Sequence, residues 1–477
     1  MATTMGLMEG GCFRSSSSTR SDRKQVRCAL ATAASFPDLS SDSVVSFGTH
    51  VYPVGPRQSL VATIDIEHLE DSDPLAGAVS FLQLIRTHPQ IEALFQTPRS
   101  LLIPLFRKFV TFLASQDPNL QLVSAEVFAS IASQAVPQVI QLIVDAHVVP
   151  ALVALLVDGD PESLLRVAVN ALENIAKFKF SNYILQVGAL PPLLTLALNS
   201  DLCTLTRHAA WALRTICHYY SPSRLDLNTI LSEIPALVRL IDSVDEEVRK
   251  SACWAISYLL DISEEAYSGD IIQAVINAGA CGLFVDLLDS PPSGDVHVHI
   301  PILRCIVNVC GGDDLQTQMV VECGCIPALH RLMCSPHEII QTYACKAISN
   351  ITASSAQIYA VIEAGIIPHL VTLATRRGPS QCEATWAICN ALARSLDLHQ
   401  MQHLVTFGCI CAVRQALMGT SAEIARISLQ TFSEIKIRWD GHLGATPQSW
   451  LPEQKTLERL LAHDDQDLAC IALGMLL

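Results

Sequence analysis

Apolar residues recur along this chain with a helical period, and the helical text itself recurs. The segments starting at Asn170 (NALENIAKF), Trp211 (WALRTICHY), Trp254 (WAISYLLDI), Arg304 (RCIVNVCGG), Lys346 (KAISNITAS) and Trp386 (WAICNALAR) are one pattern, with successive starts 41, 43, 50, 42 and 40 residues apart. Taking the first residue of each as the reference, the position two later is Leu or Ile: Leu172, Leu213, Ile256, Ile306, Ile348 and Ile388. The position five later holds Ile175, Ile216, Leu259, Val309, Ile351 and Ala391. At about 100° per residue these positions share one side of a helix, and the reference and the position four after it lie roughly opposite. The pattern predicts one such helix per unit with its apolar side inward.

A period of about 40 to 47 residues written only in helical text predicts an all-α solenoid of armadillo or HEAT type, whose units bury their apolar faces by stacking on their neighbours. The phrase G-x-x-P-x-L, which opens the first helices of a unit, recurs whole or in part near Val148 to Leu152, Gly188 to Leu193, Ile234 to Leu237, Gly324 to Leu329 and Gly365 to Leu370. The 50-residue interval is explained by a loop insertion, SPPSGDVHVHIP, between Ser290 and Pro301. After Ser433 the pattern loosens and then resumes as a terminal repeat. Residues 1–73, rich in Ser and carrying Pro37, Pro53 and Pro56, read as a disordered N-terminal arm, and residues 74–477 as the repeat array.

The side of each helix opposite the core carries a two-rung ladder: Asn170 with Asn174, Trp211 with Thr215, Trp254 with Tyr258, Arg304 with Asn308, Lys346 with Asn350, and Trp386 with Asn390. Asn is a mediocre helix former, because its amide competes for backbone hydrogen bonds, so its recurrence at one register has another cause. Two readings stand side by side. In one, Trp fills the groove between stacked helices and Asn bonds to a neighbouring repeat. In the other, Asn amides hold the backbone of an extended foreign peptide while indole faces line slots for its side chains. Such a slot suits Lys or Arg, whose stem packs on the rings and whose cation meets their negative faces, worth about 0.5–2 kcal/mol per contact.

The register resembles that of the importin alpha family of nuclear-import adaptors. The likeness rests on CWAISYLLD at Cys253 to Asp261, VNVCGGDDLQTQ at Val307 to Gln318, ISNITA at Ile348 to Ala353, IYAVIEAGIIPHL at Ile358 to Leu370 and EATWAICNA at Glu383 to Ala391. The GDD-x-QTQ string, Gly312 to Gln318, sets this family above other armadillo proteins such as catenins. The resemblance implies a right-handed superhelical armadillo solenoid of about nine to ten repeats. It also implies a cytoplasmic and nuclear adaptor that binds Lys/Arg-rich signal peptides of cargo in a concave groove, and importin beta through the N-terminal arm. The implied peptide-binding residues are Asn174, Trp211, Trp254 and Tyr258 on the earlier repeats, then Arg304, Asn308, Asp313, Asp314, Asn350, Glu383, Trp386 and Asn390 on the later ones.

Departures from the family pattern concentrate in the early repeats. The rung positions there hold Glu126 and Ser130, then Asn170, then Thr215, and Phe178 beside Lys177 stands where the family has an acidic residue. Later, Lys346 replaces one Trp. The candidate basic arm, Arg14 to Arg27, carries only Arg14, Arg20, Arg23, Lys24 and Arg27. These losses favour a competing expectation, a divergent armadillo scaffold that binds another protein without a transport role.

Composition narrows the picture further. At 477 residues with 50% apolar and only 16% charged side chains, one helical stack fits better than several ordinary domains. A net charge of −15 argues against binding a nucleic-acid backbone and favours a basic partner. The most apolar window, Val139 to Val157, is interrupted by Gln141, Asp145, His147 and Pro150, so no membrane span is predicted. Met1 to Ala34 carries only Glu9 and Asp22 as acids, which makes an organelle transit peptide an alternative to the weakly basic arm.

Of the 17 cysteines, Cys325 and Cys409 follow a repeat-start glycine and Cys253 and Cys345 precede the ladder position, so they read as small core residues in a reducing compartment. The pairs Cys323/Cys325 and Cys409/Cys411 lack partner pairs at zinc-site spacing, and His297 and His299 read as exposed loop residues. No metal, cofactor or catalytic string is predicted, and hence no enzyme.

Overall fold

The computed structural model describes residues 73–476 apart from 88–98, 135–136, 159–160, 200–201, 222–223, 263–264, 290–297, 396–397, 419–420, 443–445 and 463–464. All of these fall in one compact unit. The N-terminal arm and most of the Ser290–Pro301 insertion lie outside the described residues. Every regular element among the described residues is helical.

Ten helices form a file in which each packs on the next: α1 (Pro74–Thr87), α2 (Pro118–Gln134), α3 (Glu162–Ile175), α4 (Cys203–His218), α5 (Glu246–Leu260), α6 (His299–Cys310), α7 (Glu338–Thr352), α8 (Gln381–Arg394), α9 (Ala422–His442) and α10 (Gln466–Leu476). Shorter helices back the file. Val148–Asp158 packs behind α3, Leu190–Asn199 behind α4 and Ile367–Thr375 behind α8.

The sequence register explains this burial. The twelve apolar positions two and five residues after each reference, Leu172 and Ile175 through Ile388 and Ala391, are at most 1% exposed. The residue after each reference is small and equally buried: Ala171, Ala212, Ala255, Cys305, Ala347 and Ala387. Small side chains there let neighbouring helices approach closely, and the residue before each reference, from Val169 to Thr385, is covered as well. Each helix is thus enclosed on three sides. At the start of the file the core position two after Glu126 holds Phe128, edge-on to Phe106 at 5.7 Å and to Phe109 at 6.1 Å on the helix behind α2.

The buried cysteines behave as core residues. Burial pushes the thiols of Cys253, Cys345 and Cys409 up to about 12, which keeps them protonated and unreactive at neutral pH. His299 corrects the loop expectation: it opens α6 and is buried. Among the described residues no group of three or more His, Cys, Asp or Glu gathers as a metal site, and no single helix is long and apolar enough to cross a membrane.

The repeat-start glycine has a conformational cause. Gly188, Gly279, Gly324, Gly365 and Gly408 adopt φ between 68° and 88°, in the left-handed region that glycine enters without a Cβ penalty. In the unit that begins at Val148 the same position is His147, with φ 62°. A non-glycine residue there costs about 1 kcal/mol. Replacing His147 by Gly is therefore expected to stabilise the protein by about 0.5–1 kcal/mol, read as a shift in urea-denaturation midpoint. An unchanged midpoint would show that His147 recovers the strain through contacts of its own.

Candidate peptide-binding face

Enclosure on three sides leaves one strip of each helix in the file uncovered, and the predicted rungs occupy it. Asn170 and Trp211 are exposed, and Trp254, Arg304, Lys346 and Trp386 are half-buried. At the second rung Thr215, Tyr258, Asn308 and Asn390 are half-buried, whereas Asn174 and Asn350 are buried, at 7% and 6% exposure. The strip continues onto α9. There Phe432 and Ile435 hold the core positions, so Gln430 and Glu434 fall in rung register, and both are exposed.

The later asparagines share one geometry. Asn308 Nδ2 donates to the Ser257 carbonyl at 3.4 Å, Asn350 Nδ2 to the Val307 carbonyl at 2.7 Å, and Asn390 Nδ2 to the Ser349 carbonyl at 2.9 Å. Each acceptor lies three residues after the reference on the preceding helix, so the bond repeats at fixed register from α5 to α8. Each of these carbonyls also accepts the backbone N–H of its own helix four residues on, from Asp261, Gly311 and Ala353. The amide thus takes the second lone pair of a carbonyl in the last turn. Bonding to a neighbouring repeat, the first of the two readings of Asn, accounts for one N–H of each amide. The other N–H and the side-chain oxygen of each amide exceed what this bond uses.

The aromatic rungs differ from the expected row of open slots. Trp254 and Tyr258 stack on each other with centroids 5.5 Å apart, and the chain's own cations cover them. The Arg304 guanidinium lies 5.3 Å from the Trp254 ring and 5.5 Å from Tyr258, and Arg214 lies 5.3 Å from Trp254. Arg304 also pairs with Asp261 at 3.0 Å. Trp211 is open, at 38% exposure, beside His208. Trp386 packs partly against the core, with its indole nitrogen buried and without a hydrogen-bond partner among the described residues.

Asp313 has a structural role as well as an exposed carboxylate. It caps the helix Asp314–Glu322 by accepting from the Gln316 backbone N–H at 2.8 Å, and Gln316 Oε1 accepts the Asp313 N–H in return. Gln316 Nε2 then reaches the Gly269 carbonyl in the preceding unit at 3.1 Å, and Gln318 Oε1 accepts from Gln357 of the following unit at 2.7 Å. A Cβ on Gly312 would lie 2.3 Å from Gln316 Oε1 and 3.0 Å from the Val309 carbonyl. The GDD-x-QTQ string is therefore a capping box that also ties three units together. Asp314 is exposed in the first turn of that helix, and Glu383 is half-buried in the first turn of α8.

In the early file the rungs turn inward on themselves. Asn174 Nδ2 donates to Asn170 Oδ1 at 3.0 Å, and Lys177 Nζ donates to Asn174 Oδ1 at 3.0 Å. Phe178 and Lys179 break the helix after α3, with Lys179 at φ 67°. Beside these residues a cavity of about 310 Å³ opens over α1 to α4, lined by Arg86, Glu126, Ser130, Arg166, Asn170 and His208 among others. Arg86, Arg166 and His208 were not singled out in the sequence. The latter two lie four and three residues before a reference position, one helical turn further along the same strip.

Five stretches, residues 137–177, 181–218, 229–261, 313–353 and 354–393, match the family model of the armadillo/beta-catenin-like repeat. An engineered protein of known structure superposes with a TM-score of 0.69 at 24% identity, covering 87% of this chain and 98% of its own, which bears on the fold alone. The stacked helices with their exposed rungs are an armadillo-repeat array. Importin subunit alpha-1a of Oryza sativa subsp. japonica is 36% identical over 321 residues, 66% of this chain and 58% of that protein. Importin subunit alpha-3 of Arabidopsis thaliana is 34% identical over 268 residues, 55% of this chain and 48% of that protein. The chain belongs to the importin alpha family, and it spans about half the length of the relatives it matches.

Two substitutions test the structural part of this arrangement. Gly312→Ala displaces Gln316 from its capping box and should destabilise by about 1–2 kcal/mol. Asn350→Ala removes a bond between α6 and α7 and should cost about 1 kcal/mol. Urea denaturation of each variant measures both, and an unchanged midpoint in either would remove the corresponding bond from the account of stability.

Proposed function

We propose that the protein is an import adaptor that captures a Lys/Arg-rich signal peptide of a cargo protein along the later rungs, over α6 to α8. Adjacent packed helices lie roughly 8–10 Å apart. Two residues of extended chain span about 6.6 Å, so one rung meets roughly every second or third residue of a peptide crossing the file. Asn308 and Asn390 are the open grips and Asn350 a covered one. Trp386 walls a slot, with Glu383 one turn before it on α8, and Asp314 contributes negative charge beyond the end of α6. The arginines seated on Trp254 support cation recognition by this strip, because the same chemistry would hold a foreign lysine or arginine against an uncovered ring.

The observation that carries this reading is the fixed register of the bonds made by Asn308, Asn350 and Asn390, which orients three amides alike along one line. The names of the relatives support the transport role; within this reading the protein cycles between cytoplasm and nucleus and engages a carrier, importin beta, through residues 1–73. Lys346 stands in the middle of this line and opposes a cationic side chain at its rung.

Titration of the full chain with a labelled lysine-rich signal peptide tests the proposal. Asn390→Ala is expected to weaken binding about threefold to tenfold. Lys346→Trp, which removes a repelling charge and adds an indole face, is expected to tighten it by about threefold to thirtyfold. Loss of structure cannot produce that second change. Binding no stronger than millimolar, or indifference to both substitutions, would overturn the proposal.

A further inference from the structure

We propose that the early rungs, over α1 to α4, form a separate site that takes a carboxylate-rich segment of a partner protein. The site goes beyond the signal-peptide reading and does not rest on it. Its location is the cavity of about 310 Å³ beside Arg166 and Asn170.

Hydrogen-bond polarity identifies the ligand. An ammonium group can only donate, so Lys177 at 3.0 Å fixes the Asn174 oxygen as its acceptor. The Asn174 amide nitrogen then points its donors at Asn170, which fixes the Asn170 oxygen as the acceptor of that bond at 3.0 Å. Each of these two amide oxygens thereby accepts one hydrogen bond from within the stretch. Glu126 is held by Arg86 at 3.1 Å and Glu173 by Lys177 at 3.1 Å. The donors left unused at the cavity are the Asn170 amide N–H groups and the exposed Arg166, which makes no ion pair or hydrogen bond among the described residues.

A lysine entering here meets the Arg166 guanidinium, which has no ion pair among the described residues, and, at the rung positions, Asn170 and a Glu126 already paired with Arg86 in place of indole rings. A carboxylate meets a planar guanidinium fork and a neighbouring amide donor, the pairing that gives short charge-assisted bonds. The charge complement therefore selects Asp or Glu side chains. Residues that look like eroded lysine pockets in the sequence form a donor-rich pocket of opposite preference.

A labelled peptide of alternating Glu and Asp, titrated against the full chain, tests the inference. It should bind, weaken as salt is raised, and lose affinity roughly tenfold or more with Arg166→Glu. Asn170→Asp, which turns donors into acceptors, should weaken it as well. Arg166 is exposed, so its substitution leaves the fold intact, and circular dichroism checks this. The lysine-rich peptide should be unaffected or strengthened by Arg166→Glu. Absence of acidic-peptide binding, equal binding by Arg166→Glu, or loss of lysine-peptide affinity in that variant would overturn the inference. The signal-peptide proposal is read at Asn390 and Lys346, so either can fail alone.

Discussion

Packing of each helix of the file on the next is the constraint from which the rest of the molecule follows. A helix enclosed by its two neighbours and backed by its own unit has one free strip, and the two rung positions are what fit on it. Because the buried register repeats, the strips align without any separate device. Leu172, Leu213 and Ile256 fix the rotation of their helices, and that rotation decides where Asn170, Trp211 and Trp254 point. Small residues such as Ala212 and Ala255 keep the helices close enough for side chains of adjacent rungs to touch.

That closeness produces two different polar economies along one strip. From α5 to α8 each asparagine reaches across to a last-turn carbonyl of the preceding helix, so polar contacts run between units. At α3 the contacts run within the unit, from Lys177 to Asn174 to Asn170. A bond between units adds to the interface that holds a solenoid together, where stability is a sum of intrinsic and nearest-neighbour terms. The early interface instead draws on larger apolar groups, with Phe81 of α1 packed 5.2 Å from Phe109, which lies behind α2.

The buried half of this design was legible from the sequence, because helical periodicity is a local property. Every core position read from the repeat is buried, and the repeat-start glycines and small cysteines fall where the register put them. Contacts between rungs were less legible. Whether an asparagine meets a foreign backbone or a neighbouring repeat depends on helix separation and rotation, which no single unit encodes, so both readings stood. Arg304 covering Trp254 required a contact across 50 residues. Asp313 is a different case. The spacing Asp-x-x-Gln at the head of a helix is a capping signature visible in the text, and the capping carboxylate stays exposed.

Net charge also misleads when applied to one strip. The chain carries 46 acidic and 31 basic residues, and Arg86, Arg166, Lys177, Arg214, Arg304 and Lys346 lie on or beside the rungs among carboxylates such as Glu126, Asp261, Glu383 and Glu434. Screening at physiological salt acts over roughly 8 Å, less than or about the distance from one helix of the file to the next. A bound side chain therefore responds to its own rung and the adjacent ones, and the overall excess of carboxylates has little say. Between α3 and α8 lie several such screening lengths. The early and late rungs are for this reason electrostatically independent, and one continuous strip can favour opposite charges at its two ends.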